Sequence, residues 1–250
     1  MKGIILAGGN GTRLHPLTVA TNKHLLSVYD KPVIYYPVAK LVEAGIDQIM
    51  IVTNPHHISD FVKLLGSGQD FISKNTGKQI QIVYTIQNEP NGIGHGISVA
   101  RDYIGMDSCI LYLGDNIFED DLKPHIRNFR GGAKIFLKEV SDPERFGVAE
   151  FDSEGKVINI EEKPKNPKTP YAVTGLYLFD NSIYEKSKHQ KRSGRGEFEI
   201  ASLLNQYIQE RKLSAALLEK EWFDIGTFDS LLEATVHMKN KKGNVSPILE

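Results

Sequence analysis

The sequence predicts an α/β protein: a mostly parallel sheet flanked by helices, followed by a β-rich lobe. Three observations predict it. Apolar runs of strand length alternate with helix-length segments over the first half. Their connections are short, which favours parallel pairing through right-handed crossovers. After about residue 133 the alternation gives way to a series of short β runs.

Lys2–Ala7 is an apolar run, read as a buried strand that ends in Gly8-Gly9-Asn10-Gly11. A helix over Ile34–Ala44 stops at Gly45. Ile46–Thr53 is a second apolar strand, Ile58–Leu65 suits a helix, and Gln79–Thr85 alternates like a strand. His95–Tyr103 is expected as one helix, and Cys109–Leu113 as a strand ending at Gly114-Asp115-Asn116. Parallel sheets bind ligands in the crevice beyond the carboxyl ends of their strands. Both glycine-bearing segments follow strands at those ends. Ala133–Val140, Phe146–Asp152, Val157–Glu162 and Ala172–Phe179 are the β runs of the second lobe, with Asp152–Gly155 as a hairpin turn. Helices are expected over Phe198–Glu210 and Phe228–Lys239, followed by a polar, frayed tail to Glu250.

The 250 residues suffice for one large domain or one with a small second lobe, and 40% are hydrophobic, so a real core is expected. Thirty basic residues balance thirty-one acidic ones, which argues against a nucleic-acid binder. The single cysteine, Cys109, cannot form an internal disulfide and sits in an apolar run as a buried hydrophobe. No signal peptide and no apolar span of about 20 residues is evident, so a soluble, cytoplasmic protein without membrane contact is expected.

Four segments carry chemistry. In Leu6–Leu14 the glycines let the backbone approach a ligand, and successive N–H groups can cradle phosphate. Arg13 adds a charge that grips phosphate bidentately, and Lys23 can reach the same anion. A plain strand-to-helix turn accounts for the glycines equally well; neither the Rossmann nor the Walker spacing is met. Asp115, at a strand end, is placed to hold Mg²⁺, though Gly114-Asp115-Asn116 also makes a good turn. Glu162 and Lys163 can meet sugar hydroxyls and a phosphate, or form a solvated charge run. Asp224, among apolar residues, needs a metal or a helix start to compensate its charge.

In their joint order these pieces resemble the sugar-phosphate nucleotidylyltransferases, within them the short-form glucose-1-phosphate thymidylyltransferases. The matching residues are Leu6–Leu14, Lys23, Val28–Pro32, Ile34–Pro37, Gly114–Phe118, Asp142–Val148, Glu161–Pro164, Tyr171–Tyr177, Gly194–Glu197 and Asp224–Thr227. They run in family order over nearly the whole chain.

The resemblance implies a Rossmann-like sheet with an inserted sugar-binding lobe. As a single domain over 1–240 it would comprise a nucleotide-binding part over about 1–132, a sugar lobe over about 133–220 and a closing helix at 227–240, with a tail at 241–250. It implies Mg²⁺-assisted, in-line transfer from dTTP to glucose 1-phosphate, giving dTDP-glucose and pyrophosphate, as in the first step of dTDP-rhamnose-type deoxysugar synthesis. Carried over, Asp115 and Asp224 hold the metal. Leu6, Gly8, Gly9, Gly11 and Thr12 line the nucleotide with Asp115. Arg13 and Lys23 act on the phosphates, with Lys23 on the pyrophosphate side. Lys163 and Arg195 grip the sugar phosphate. Asn116, Gly147, Glu162 and Val173 line the hexose, with Tyr177 either a wall beneath it or a core residue. Gln87, Pro90 and Gly92 meet the base. Thymine and uracil differ by one methyl, worth roughly 1–3 kcal/mol, so dTTP preference with UTP tolerance is expected.

This chain departs from the family at Pro90-Asn91-Gly92-Ile93-Gly94-His95-Gly96, where Pro-Asp-Gly-Leu-Ala-Gln-Ala is usual, and at Ser27. A homo-oligomer, dimer or tetramer, is expected by analogy. Longer members add C-terminal helices that build an allosteric nucleotide site, an expectation not extended to this chain. The alternatives are transfer from UTP or another triphosphate, and a non-catalytic sugar-nucleotide sensor.

Overall fold

The computed structural model describes residues 1–73, 76–89 and 91–241. Pro90 and all of the expected tail beyond Lys241 lie outside them. The chain divides into two compact units.

The first unit comprises Gly3–Pro90, Tyr112–Lys123 and Glu221–Glu250. Its strand Lys2–Ala7 pairs in parallel with Gln48–Thr53, which pairs in parallel with Gln81–Ile86. Ile4, Ile5, Ile49, Ile51 and Val52 are fully buried, as expected of strands covered on both faces. The helix Tyr35–Glu43 buries Val38, Leu41 and Val42, and Ile58–Leu65 buries Phe61 and Leu65, both at helical spacing. The end of the strand Cys109–Leu113 joins this sheet: the Gly114 N–H donates to the Leu6 carbonyl at 2.9 Å. Two further strands, Asn116–Phe118 and Trp222–Asp224, form an antiparallel ribbon with Asp224 opposite Asn116. Ile117 and Ile225 bury it against Val28, Val33 and Ala234, the last on the helix Phe228–Lys241. That helix runs two residues past the expected end, so Lys239–Lys241 are helical.

The second unit comprises Met1–Lys2, Asn91–Leu111 and Pro124–Lys220. Tyr171–Phe179 pairs antiparallel with Ala133–Glu139 and with Gly147–Phe151, which pairs antiparallel with Val157–Glu162. The expected hairpin turn is present: Asp152 Oδ1 accepts from the N–H groups of Glu154 and Lys156, each at 2.9 Å. One expected helix is corrected. Instead of His95–Tyr103, there are two, Ile93–Val99 and Arg101–Ile104. The Ala100 N–H is shared among carbonyls three and four residues back, which tightens the turn and breaks the cylinder. Gly94 and Gly96, poor helix formers, weaken the first helix. The short helix Ile183–Lys188 and the strand Leu213–Leu217 were not expected.

Cys109 is free and buried; burial, then the Asp180 carboxylate, pushes its thiol up to about 12. Among the described residues no helix is long and apolar enough to cross a membrane.

Gly114 is where the first unit is least forgiving. A Cβ there would lie 2.9 Å from the Leu6 carbonyl oxygen and 2.9 Å from the His24 ring, and 3.1 Å from Ile5. Gly114→Ala is therefore expected to cost about 1–3 kcal/mol and to lower the urea midpoint. Gly194→Ala, with nothing within 4 Å of the new methyl, should stay within about 0.5 kcal/mol of the parent. Equal midpoints for the two variants would contradict the close approach.

Candidate active site

The strand Lys2–Ala7 delivers its chain into the glycine loop, and the loop wraps Lys23. Gly11 adopts φ 61°, a left-handed conformation that glycine takes without strain. A Cβ there would sit 3.0 Å from the Lys23 Cβ, and one at Gly9 would sit 3.7 Å from the Lys23 Cε. Thr18 Oγ1 pins the loop by donating to the Gly11 carbonyl at 2.7 Å. The 3₁₀ turn Thr12–Leu14 buries Leu14 and leaves Thr12 and Arg13 exposed. Gln87 is buried with its side-chain oxygen against Gly8, 3.4 Å from where a Cβ would be.

Lys23 Nζ forms an ion pair with Asp115 Oδ2. The Asn116 amide nitrogen donates to Asp115 Oδ1 at 3.0 Å and reaches Asp224 Oδ1 at 3.5 Å. Its orientation is fixed from the other side, because the Trp222 indole N–H donates to Asn116 Oδ1 at 2.7 Å. One amide thus links the two expected metal aspartates. Arg13 joins them: a Cβ at Gly226 would lie 2.8 Å from Arg13 Nη2 and 3.2 Å from Asp224 Oδ2. Five residues named from the sequence, Arg13, Lys23, Asp115, Asn116 and Asp224, therefore converge in one unit, with Asn116 beside the aspartates.

Burial by itself would raise the Asp115 carboxyl. The Lys23 ammonium, with the hydrogen bonds from Lys23 and Asn116, outweighs it and holds the group at about 2. Asp115 is anionic at neutral pH. The neighbouring His24 is the opposite case: burial, then the Lys23 charge, lowers it to about 3, so its ring is neutral. Its Nδ1 lies 2.5 Å from Asn22 Oδ1, and Asn22 donates its own amide N–H to the Ala7 carbonyl. The ring proton therefore sits on Nδ1.

In the second unit Gly147 lies opposite Glu162 on one side and Val173 on the other. A Cβ at Gly147 would meet Glu162 Oε2 at 3.4 Å and Val173 Cβ at 3.7 Å. These three expected hexose residues are thus adjacent across three strands. Arg195 Nη2 donates to Glu162 Oε1 at 3.1 Å and to Glu199 Oε2 at 2.8 Å. Burial, then the Glu199 charge, raises the Glu162 carboxyl against the opposing pull of Arg195 and Lys163. Lys163 follows at φ 48°, unusual for a side-chain-bearing residue, with its N–H bonded to the Phe146 carbonyl at 2.9 Å. Gly92, at φ 93°, leaves room for the Phe198 backbone 2.8 Å from where a Cβ would stand. Tyr177 is not brought to this group. It lies past a register shift in its strand, 3% exposed, its ring stacked on Phe179. Glu199 was missed: it is the N-cap of the helix Ile200–Gln209 and Arg195 lies in the turn before that helix, so helical spacing gave no signal for their pairing.

A profile of the nucleotidyl transferase family matches residues 2–241. The glucose-1-phosphate thymidylyltransferase of Mycolicibacterium smegmatis is 45% identical over 240 residues, covering 94% of this chain and 81% of that protein. A Bacillus anthracis crystal structure, provisionally described as a glucose-1-phosphate thymidylyltransferase in complex with sucrose, superposes with a TM-score of 0.90 at 43% identity, covering 99% of this chain and 98% of that one. A UDP-glucose pyrophosphorylase complexed with UDP-glucose shares the fold, with a TM-score of 0.82 at 23% identity over 96% of this chain and 98% of that one. With the profile spanning nearly every described residue, this chain belongs to the nucleotidyl transferase family.

Proposed function

We propose that this protein transfers the thymidylyl group of dTTP to α-D-glucose 1-phosphate. An oxygen of the sugar phosphate attacks the α-phosphorus, the bond to the β-phosphate oxygen breaks, and pyrophosphate leaves with that electron pair. The observation that carries the proposal is the convergence of Arg13, Lys23, Asp115 and Asp224 around the Asn116 amide. The names of the relatives supply the base and the sugar.

The donor set fits a divalent cation. Two carboxylates converge, one of them ionised to low pH, and a lysine ammonium already occupies the front of Asp115. Mg²⁺ takes one or two protein carboxylates and completes its shell with phosphate oxygens and water. Among the described residues no cluster of three or more His, Cys, Asp or Glu side chains is poised for a metal, so the two aspartates are the protein's whole contribution on this reading. Asp115 and Asp224 would hold Mg²⁺, which when bound neutralises phosphate charge.

The chain's own residues do the rest. The backbone of Leu6, Gly8, Gly9, Gly11 and Thr12 lines the nucleotide. Gln87, with its amide held against Gly8, meets the pyrimidine edge, where an amide can both donate and accept; Pro90 and Gly92 complete the base segment. Arg13 stabilises charge on the phosphates, and Lys23, released from Asp115, follows the departing pyrophosphate. In the second unit Lys163 and Arg195 bind the sugar phosphate, and Glu162 accepts from sugar hydroxyls beside Gly147 and Val173. Asn116 orients the two aspartates as well as facing the sugar. Tyr177 supports that strand from the core.

Pyrophosphate release should require dTTP, glucose 1-phosphate and Mg²⁺ together, and chelation by EDTA should stop it until Mg²⁺ is restored. UTP should serve less well, by about 10–200-fold in kcat/KM for the missing methyl. Release without any sugar phosphate, or with every triphosphate equally, would sink the assignment.

Asp115→Asn and Arg13→Ala should each lower kcat by at least about 100-fold, the usual consequence of removing one group that meets developing charge. Circular dichroism and thermal melting establish that each variant is folded. Parental turnover in both folded variants is the outcome that contradicts the roles.

A further inference from the structure

Arg195 is presented by a turn laced with its own hydrogen bonds. The Ser193 N–H donates to the Glu197 carbonyl at 2.8 Å, and the Gly196 N–H to the Ser193 carbonyl at 2.9 Å. Ser193 Oγ donates to Glu199 Oε1 at 2.7 Å, and Glu199 takes both Nε and Nη2 of Arg195. The turn is docked on the helix Ile93–Val99 through Phe198. The Phe198 N–H donates to the Asn91 carbonyl at 2.9 Å, and its carbonyl accepts from the Gly94 N–H at 3.1 Å.

Gln190 adds a side-chain tie that the proposed chemistry does not use. Its Nε2 donates to the main-chain carbonyl of Glu199 and to Ser202 Oγ at 2.7 Å. Those two acceptors fix which way the amide faces. Its Oε1 is consequently turned inward, buried and without a hydrogen-bond partner, at a cost that only the donor side can offset. That oxygen fills the notch at Gly94: a Cβ built there would overlap it. Alanine is the better helix former at such a position, so space for Gln190 is a physical reason for glycine. A cavity of about 250 Å³ borders the same side chain, lined in part by His95, Ser98 and Ser187. The amide is held both by its hydrogen bonds and by its seat in the notch, and the adjoining cavity offers space into which it can be displaced.

We propose that Gln190, seated in the notch at Gly94, is a positioning residue for Arg195. By tying down the Glu199 main chain it steadies the carboxylate that orients the guanidinium, and so sets the affinity for the sugar phosphate. The proposal rests on the reading of Arg195 as a sugar-phosphate ligand. It also gives the unusual Asn91–Gly96 segment a second role, because the helix that starts there carries the platform on which the Arg195 turn sits.

The test is steady-state kinetics of the full chain with dTTP, glucose 1-phosphate and Mg²⁺, alongside thermal melting. Gln190→Ala should raise the KM for glucose 1-phosphate about tenfold, the effect of one lost hydrogen bond's worth of positioning, with kcat and the KM for dTTP within about twofold. Gly94→Ala should do the same by expelling the side chain. Gln190→Glu keeps the length but loses both donors and should not restore the parental KM. In the Gln190→Ala background, Gly94→Ala should add nothing further, because the two act through one contact. An unchanged sugar-phosphate KM in folded Gln190→Ala overturns the proposal, as does full additivity of the two substitutions. So does a joint fall of kcat and both affinities with the melting temperature, which marks a structural role. Arg195→Gln separates the two levels. If it leaves the sugar-phosphate KM unchanged, the reading of Arg195 fails and the proposal with it. If it raises KM while Gln190→Ala does not, only the positioning role fails.

Discussion

Two carboxylates distant in sequence are held on a single amide, and the first unit is organised around that fact. Like charges roughly 4 Å apart near a protein surface repel by about 4 kcal/mol. Asp115 and Asp224 can share a neighbourhood only because Asn116 donates between them and cations stand close by. The ribbon of Asn116–Phe118 with Trp222–Asp224 sets the register that makes this possible, since Asp224 is paired directly with Asn116. Trp222 in the same strand fixes the amide from behind. The apolar core beneath the ribbon, Ile117 and Ile225 against Val28, Val33 and Ala234, then supports the register that brings the two carboxylates to one amide.

The strands Lys2–Ala7 and Cys109–Leu113 were legible because a strand buried on both faces needs an apolar run, and both segments are such runs. The ribbon was not legible. Asn116–Phe118 and Trp222–Asp224 are three residues each, too short for any periodicity, and their pairing joins Asn116 to Asp224, 108 residues apart. Gly114-Asp115-Asn116 taken alone read more readily as a turn, because turn formers and ligands draw on the same side chains. The helix beginning at Ile93 misled for a related reason: apolar spacing signals a buried face but not a break at Ala100, which depends on how one N–H is shared. At the site, residue types were readable and partners were not. Lys23 was expected beside phosphate, and its pairing with Asp115 needs two segments that only the sheet brings together. Arg195 was named without Glu199, the group that orients it.

These pairings share a logic. Lys23 rests on Asp115, and Arg195 rests on Glu162 and Glu199. Each of these two cations, assigned to a phosphate by the proposed chemistry, is held in advance by a carboxylate of the same unit. A charge kept this way retains its geometry without ligand, and the cost of ordering it is met during folding, not at the moment of reaction. An arriving phosphate then exchanges one anionic partner for another and need not strip water from a bare charge. The exchange also explains why the partner carboxylates must have somewhere to turn. Asp115, ionised to low pH, would on the proposed chemistry face a divalent cation once Lys23 turns to phosphate. Glu162 has no such replacement: burial and Glu199 already raise its carboxyl, and Arg195 is one of the charges opposing that rise. On the proposed reading, hydrogen bonds from sugar hydroxyls would replace the contact that Glu162 loses once Arg195 turns to a phosphate. The proposed chemistry thus couples sugar and phosphate recognition through that one carboxylate: a bare phosphate would draw Arg195 away without supplying hydroxyls, and in inhibition kinetics it is expected to bind less well than the whole sugar phosphate.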